Sequence, residues 1–511
     1  MTMHSIRCTS SRRLMVAATC TVMVAAAACT SSQGAGDVTS GSGRGQPGSG
    51  GASTAGTSST GAARPVPAPS TAISGHAVSA DAGVLLSAPE VNGSKGILIA
   101  TAAGKTVYWK PAPAGRTYGD LHTSTYLGKP VLVYFDGTGG GHYQGSWHIM
   151  DDTYHDVATI SAGNGAEADL HDMLLRSDGT AVVEAYVPVT KDLSADGGKK
   201  DAIVLESQIQ TVDVATKKVL TSWSSLSDFP VTDTFEDLTG GTIDYMHTNS
   251  LAVDPTDPDA VIVSARNISQ VFKLDLITGE VEWKLGGRRP TLALQPGATD
   301  TVTIDGAVLP FTRVHDGQML PDGTVRVFDN GSDRPTQFSS VNYYSLDLGA
   351  KTATEQVPRK IRAVPDIYGS IQGNAAELPG GSTFVSWGNT GTAGIYGANR
   401  HVLTTIKTAT TYRMYLQPWS ATPTTAPTAV ATTSAPGLTV IATWNGATEV
   451  ANWKLLAGPS AQSLTVRKTA KWTGKSTSLT GLPIADGQFV AVRALDAAGK
   501  TLQQSAAVKV E

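Results

Sequence analysis

The sequence predicts an all-β molecule, and three observations carry that prediction. Runs such as Pro130-Val131-Leu132-Val133-Tyr134-Phe135, Ala181-Val182-Val183-Glu184-Ala185-Tyr186-Val187 and Val261-Ile262-Val263-Ser264 have the length and side-chain alternation of strands. Turn dipeptides separate such runs, among them Asp178-Gly179, Asp322-Gly323 and Gly380-Gly381. No stretch between residues 75 and 418 sustains a 3.6-residue apolar period.

Taken in chain order, the first element is an export signal over residues 1–29. Arg7, Arg12 and Arg13 precede an apolar run at 14–28, which ends in Ala26-Ala27-Ala28-Cys29. Small residues before a cysteine at that point fit a lipobox, so Cys29 is the expected lipidation site and mature N-terminus. Ser11-Arg12-Arg13 is also similar to a twin-arginine signal. The expected setting is extracytoplasmic, lipid-anchored to the cell membrane. Residues 30–74 are Gly, Ser, Thr, Ala and Pro with few large apolar side chains, a composition that predicts a disordered tether.

The next element, 75–420, contains a repeat. His171-Asp172-Met173-Leu174-Leu175-Arg176-Ser177-Asp178-Gly179 aligns without gaps with the segment from His315-Asp316 to Asp322-Gly323 and with the segment from Gln372 to Gly380. A fourth copy starts at His247-Thr248-Asn249-Ser250-Leu251 and carries an insertion at its turn. Multi-stranded repeats of this length predict the blades of a β-propeller. Two weaker copies upstream, around 97–109 and 130–150, bring the expected number of blades to six. Residues 421–436 then read as a linker rich in Thr, Pro and Ala. Short strands over 437–511 predict a small C-terminal β-sandwich of the immunoglobulin or fibronectin kind.

Composition narrows the functions open to such a chain. Charged residues are 16% and the formal net charge is -4, so no basic surface invites nucleic acid. The three cysteines, Cys8, Cys20 and Cys29, all lie in the signal. The folded part therefore has no disulfide, thiolate nucleophile or Cys-ligated metal.

Equivalent positions of successive blades converge on one axial opening. His171, His247 and His315 occupy one repeat slot and are therefore expected to meet, with Gln372 in the same slot of a further blade and Ser370 just before it. Thr248 and Asn249 add polar groups beside His247, and Arg266 adds a cation after the strand at 261–264. Imidazoles with an arginine fork and an amide suit a tetrahedral oxyanion, phosphate or sulfate.

Several segments, in this order, resemble the arylsulfotransferase family of bacterial propeller enzymes. They are Met246-His247-Thr248-Asn249-Ser250, Ser264-Ala265-Arg266-Asn267, Thr278-Gly279-Glu280-Val281-Glu282-Trp283-Lys284-Leu285-Gly286-Gly287, Arg313-Val314-His315-Asp316-Gly317-Gln318 and Phe384-Val385-Ser386-Trp387-Gly388. The resemblance spans about residues 169–419 and, more loosely, Trp444-Asn445-Gly446-Ala447-Thr448-Glu449-Val450. It implies transfer of a sulfuryl group from a phenolic sulfate ester to a phenol, independent of 3′-phosphoadenylyl sulfate and of any cofactor or metal. By the same resemblance His315 is the nucleophile that becomes sulfated, His171, His247 and Arg266 are its catalytic partners, and Asn249 binds substrate. Thr248, Ser370 and Gln372 are the further candidates for substrate contact. The expected partners are small phenolic sulfate esters and phenols, the membrane through the lipid anchor, and no nucleic acid. Two other readings compete: a quinone-cofactor propeller dehydrogenase, suggested by the Gly-x-x-x-Trp element Gly279 to Trp283, and a non-catalytic cell-surface binding propeller.

Overall fold

A computed structural model describes residues 66–79, 82–91, 93–434, 437–482 and 488–510. The expected signal peptide with Cys29, and the tether up to residue 65, lie outside the described residues.

Six sheets of four or more strands, antiparallel apart from two short parallel pairings, form the blades of a β-propeller. The innermost strands of blades two to six are Thr117–Tyr126, Met173–Leu175, Thr248–Asp254, His315–Met319 and Asn374–Glu377. Blade one takes its innermost strand from the far end of the chain, where Met414–Gln417 pairs with Val84–Ser87. Blade six takes its outermost strand from the near end, where Ala72–Gly75 pairs with Val402–Lys407. The ring is thus closed by two exchanges, one at the axis and one at the rim. Because Ala72–Gly75 is a paired strand, the tether read over 30–74 runs into blade six. Its Ala-Ile-Ser-Gly sequence carries one large apolar side chain, too little for composition to mark a strand.

Each blade buries both of its faces, and six apolar clusters each fill the space between two neighbouring blades. Trp283, the aromatic residue of the Gly-x-x-x-Trp element, is buried between blades four and five with Phe311, Val314 and Tyr344. It packs blades together, which is the ordinary use of that element. Among the described residues no helix is long and apolar enough to cross a membrane.

A polar belt near the axis links the innermost strands. Asp172 accepts the Leu251 N–H at 2.9 Å, Asn249 donates to the Val314 carbonyl at 2.9 Å, and Asp316 accepts the Ala375 N–H at 2.8 Å. Asn374 bonds both N–H and C=O of Met414, at 3.2 and 3.0 Å. Arg413 then reaches Asp120 of blade two at 3.3 Å and Asp172 of blade three at 3.0 Å. Buried backbone groups need partners, and here each blade supplies them to the next.

The C-terminal part holds two sheets around one apolar cluster. One contains Thr428–Ser434, Gly437–Thr443 and Ser476–Leu482, and the other Thr465–Lys471, Asn452–Gly458, Phe489–Leu495 and Thr501–Gln504, with Val508–Lys509 beside Phe489–Leu495. Thr428–Ser434 corrects the linker expected over 421–436. Its Thr-Ala-Val-Ala-Thr-Thr-Ser sequence reads as linker by composition, yet β-branched residues pair well against Gly437–Thr443.

Candidate active site

The axial cavity has a volume of about 460 Å³, within the range of about 300–1,000 Å³ usual for small-molecule sites. His171, His247, His315, Arg266, Gln372 and Tyr412 all line it, so the repeat slot does bring its residues together. Tyr412 fills the slot in blade one. It was hidden from the repeat because that blade's inner strand arrives from the C-terminal side.

His315 is buried at the start of its strand. Its Nδ1 faces two acceptors, Asn330 Oδ1 at 2.7 Å and the Arg313 carbonyl at 3.1 Å. Asn330 is oriented by donating its own amide to the Gly369 and Gln372 carbonyls, at 2.7 and 3.0 Å. The proton therefore sits on Nδ1, and Nε2 holds a lone pair that accepts the Gln372 N–H at 3.1 Å. Gln372 has φ 68° and is followed by Gly373 at φ 105°, where a Cβ would lie 2.5 Å from the Phe328 ring. Only glycine lets this backbone come so close. Burial, with the Arg266 charge added, holds His315 well below the ordinary imidazole range, so it is neutral at pH 7.

The other two slot histidines are each held by a carboxylate. His171 Nδ1 bonds the fully buried Asp169, and His247 Nδ1 bonds Asp244 Oδ2 at 2.5 Å. Both rings present Nε2 as the atom free to exchange a proton. Their centroids are 4.8 Å apart. His247 adopts φ 54°, a left-handed conformation uncommon outside glycine, and burial pushes its pKa down to about 4. Asp244 is held far below the carboxylate range: burial alone would raise it, but the charges and hydrogen bonds of His247 and His142 outweigh burial.

Arg266 contributes a cation without a counter-ion. Its Nη1 donates to Asn267 Oδ1 at 2.6 Å, its Nε is buried without a partner, and it makes no ion pair among the described residues. Its neighbour Arg313 is fully engaged by Glu236 and by Asp333 at 2.9 Å. Burial and then the Arg313 charge lower the Arg266 pKa.

The remaining candidates lie behind this cavity. Asn249 belongs to the axial belt, where an amide hydrogen goes to Val314 just before His315. Thr248 is buried, its carbonyl taking the Tyr186 hydroxyl, and Ser370 receives the Asn389 amide at 3.2 Å. None of the three is among the lining residues, although Asn389 is. The sequence reading missed His142, which follows Gly139-Gly140-Gly141 in a hairpin tip, outside the slot. Its Nε2 lies 3.0 Å from Asp244 Oδ2. It also missed Asp169 and Asp244, although an acid two or three residues before a histidine was a visible signal.

His142, Asp244 and His247 are the one group among the described residues compact enough for a metal ion. Their arrangement is that of hydrogen bonds, since the Asn267 amide also donates to the same Asp244 oxygen at 3.1 Å. An N–H aimed at that oxygen, and the nearby Arg266 charge, oppose a cation there.

Two solved propeller structures are among those similar to this chain. The β-propeller domain of Cps50 (Swd1) from Myceliophteria thermophila is 11% identical, with 73% of this chain and 95% of that one covered and a TM-score of 0.34. The WD40 domain of Toxoplasma gondii coronin is 10% identical, with 74% and 82% covered and a TM-score of 0.34. No curated protein matches the sequence. The family model described as arylsulfotransferase (ASST) matches residues 122–409, from blade two through blade six and including every histidine of the cavity. That match covers more than half of the 511 residues, and the chain belongs to the arylsulfotransferase family.

Proposed function

We propose that this chain moves a sulfuryl group from a phenolic sulfate ester to a phenol through a sulfated His315. One observation carries the reading: an oriented imidazole lone pair, with its proton fixed on the far nitrogen, shares a cavity with a guanidinium that has no counter-ion. In the first half-reaction His315 Nε2 attacks sulfur, the bond from sulfur to the phenolic oxygen breaks, and its electron pair leaves with the phenolate. The Gln372 N–H releases Nε2 as sulfur arrives, and Arg266 holds the sulfonyl oxygens as their charge grows. His247 is neutral at pH 7 and suits the role of proton acceptor. His171, braced by Asp169, is then the group that protonates the departing phenolate.

In the second half-reaction a new phenol gives its proton to His247, its oxygen attacks sulfur, and the electron pair of the nitrogen–sulfur bond returns to His315. A phenol pKa of about 10 makes base assistance useful near pH 7. The same reading keeps the expected setting: export, and attachment to the membrane through Cys29, supported by the small residues before that cysteine. No resident cofactor or metal has a part in these steps.

The test is release of 4-nitrophenol from 4-nitrophenyl sulfate in the presence of phenol. The native protein should give a burst equal to its concentration and a sulfated peptide containing His315, and His315→Ala should give neither. Equal release by His315→Ala overturns the assignment.

A further inference from the structure

Asp244 places three hydrogen bonds on one oxygen. His247 Nδ1 lies at 2.5 Å, His142 Nε2 at 3.0 Å and Asn267 Nδ2 at 3.1 Å, while Asp244 Oδ1 is buried without a partner. A carboxylate oxygen only accepts, so each imidazole must turn an N–H toward it. Two nitrogens are then left for one further proton, His142 Nδ1 and His247 Nε2. The first is buried and unpartnered, and the second belongs to a ring lining the cavity. The ring centroids are 5.0 Å apart, and two imidazolium ions that close on one carboxylate repel each other. The rings therefore compete for a single proton.

We propose that His142 is a further positioning residue of this site, which holds that proton in the resting protein, so that His247 Nε2 starts unprotonated and the acceptor's proton, repelled by the His142 charge, passes through His247 to His171. The proposal rests on the sulfuryl-transfer reading above. The groups facing His247 are Asp244 and Arg266 around its own blade, His142 from blade two, His171 with Asp169 and Tyr186 from blade three, and His315 from blade five. Asp244 and Asp169 favour charge on His142, and burial, which opposes it, is outweighed. On His247 burial wins, with the His171 and His142 charges adding to it. No step creates or consumes a proton: the acceptor's proton moves to His247 and then to the 4.8 Å neighbour His171, which gave one up in the first half-reaction.

His142→Gln is the informative variant, because glutamine keeps an N–H for Asp244 and loses the titrating nitrogen; His142→Asn is the second. Two measurements are made. One is the pH dependence of desulfation of the sulfated enzyme by phenol, and the other is the imidazole ¹⁵N titration of His247 in the resting protein. With the His142 charge gone, His247 binds its proton more readily. Its titration, and the rising limb of desulfation, should both move to higher pH by about one unit, while the 4-nitrophenol burst at pH 8 stays within about two-fold. An unmoved titration overturns the proposal. So does an equal loss at every pH, which describes a brace, or one bound metal per chain with activity lost on chelation. The titration needs no turnover. If no aryl sulfate reacts, the function fails while the His142 coupling is still measured.

Discussion

Arg266 and His315 constrain each other. In the proposed reaction the charge of Arg266 meets the sulfonyl group, and the same charge, added to burial, keeps His315 neutral. Arg266→Gln removes a charged donor from the developing transition state and should slow transfer by roughly 10²–10³-fold, read as kcat/KM for 4-nitrophenyl sulfate. A loss below five-fold would remove Arg266 from the sulfonyl site. The pH dependence has a definite sign. The first half-reaction needs His315 unprotonated, and its folded pKa lies well below the usual value of about 6.5. Acid therefore reaches the nucleophile late: the burst rate should be flat from pH 8 down through pH 6, where an ordinary imidazole would already have lost most of its free base. A midpoint near 6.5 would contradict the buried setting. At this scale the sequence exposed the slot histidines and Arg266, because a repeat turns equal positions into neighbours. It did not expose Asn330, which follows the second strand of its blade as Arg266 does in blade four but carries no charge to mark it, nor His142, which lies in a hairpin tip outside the slot.

The slot has a second residue, and it explains Asn249. Asp172, Asp316 and Asn374 follow the slot positions and tie one inner strand to the next, and Asn249 performs the same service toward Val314. A polar residue beside a histidine of the slot reads from sequence as a substrate contact, and here its amide also bonds the next blade at the axis. Asp316 offers the cleanest test of the belt. It accepts the Ala375 N–H and pairs with the buried Arg326 at 3.3 Å, so Asp316→Ala leaves both without that partner. The expected cost is about 3 kcal/mol, read from the urea midpoint at unchanged slope, and a loss under 1 kcal/mol would show that the belt is ornamental to stability. Blades three to six were legible because their repeats are contiguous. The closures were not, because Met414–Gln417 and Ala72–Gly75 find their partners across more than 300 residues.

The two closures and the docked sandwich make the C-terminal part of the chain integral to the propeller. Trp444-Asn445-Gly446, which sequence comparison singled out without assigning it a task, is the hook. Asn445 Oδ1 accepts the Trp109 N–H at 3.0 Å and its Nδ2 donates to the Trp109 carbonyl at 3.1 Å, so one side chain completes the open edge of the outermost strand of blade one, Thr106–Pro111. The Gly446 N–H reaches the Val107 carbonyl, and the Tyr154 hydroxyl of blade two reaches the Gly446 carbonyl, with Tyr154 stacked on Tyr108 at 4.3 Å. An unpaired edge strand is a liability, and covering it is a reason for a second domain to sit there. The hook engages the rim of blade one, whereas the residues lining the cavity surround the axis, and none of them lies beyond Tyr412. Asn445→Ala removes two hydrogen bonds, worth about 1–3 kcal/mol of local stability. Amide exchange at Trp109 and Gly446 should accelerate about 10-fold or more, while kcat for 4-nitrophenyl sulfate stays within two-fold. Parent-like protection would mean that the aromatic stack alone holds the sandwich. A fall in kcat would mean that the rim of blade one is coupled to the axis, a path open through the polar contacts between blades one and two: Arg413 and Tyr415 with Asp120, Gln417 with Thr123 and Lys110 with Tyr134.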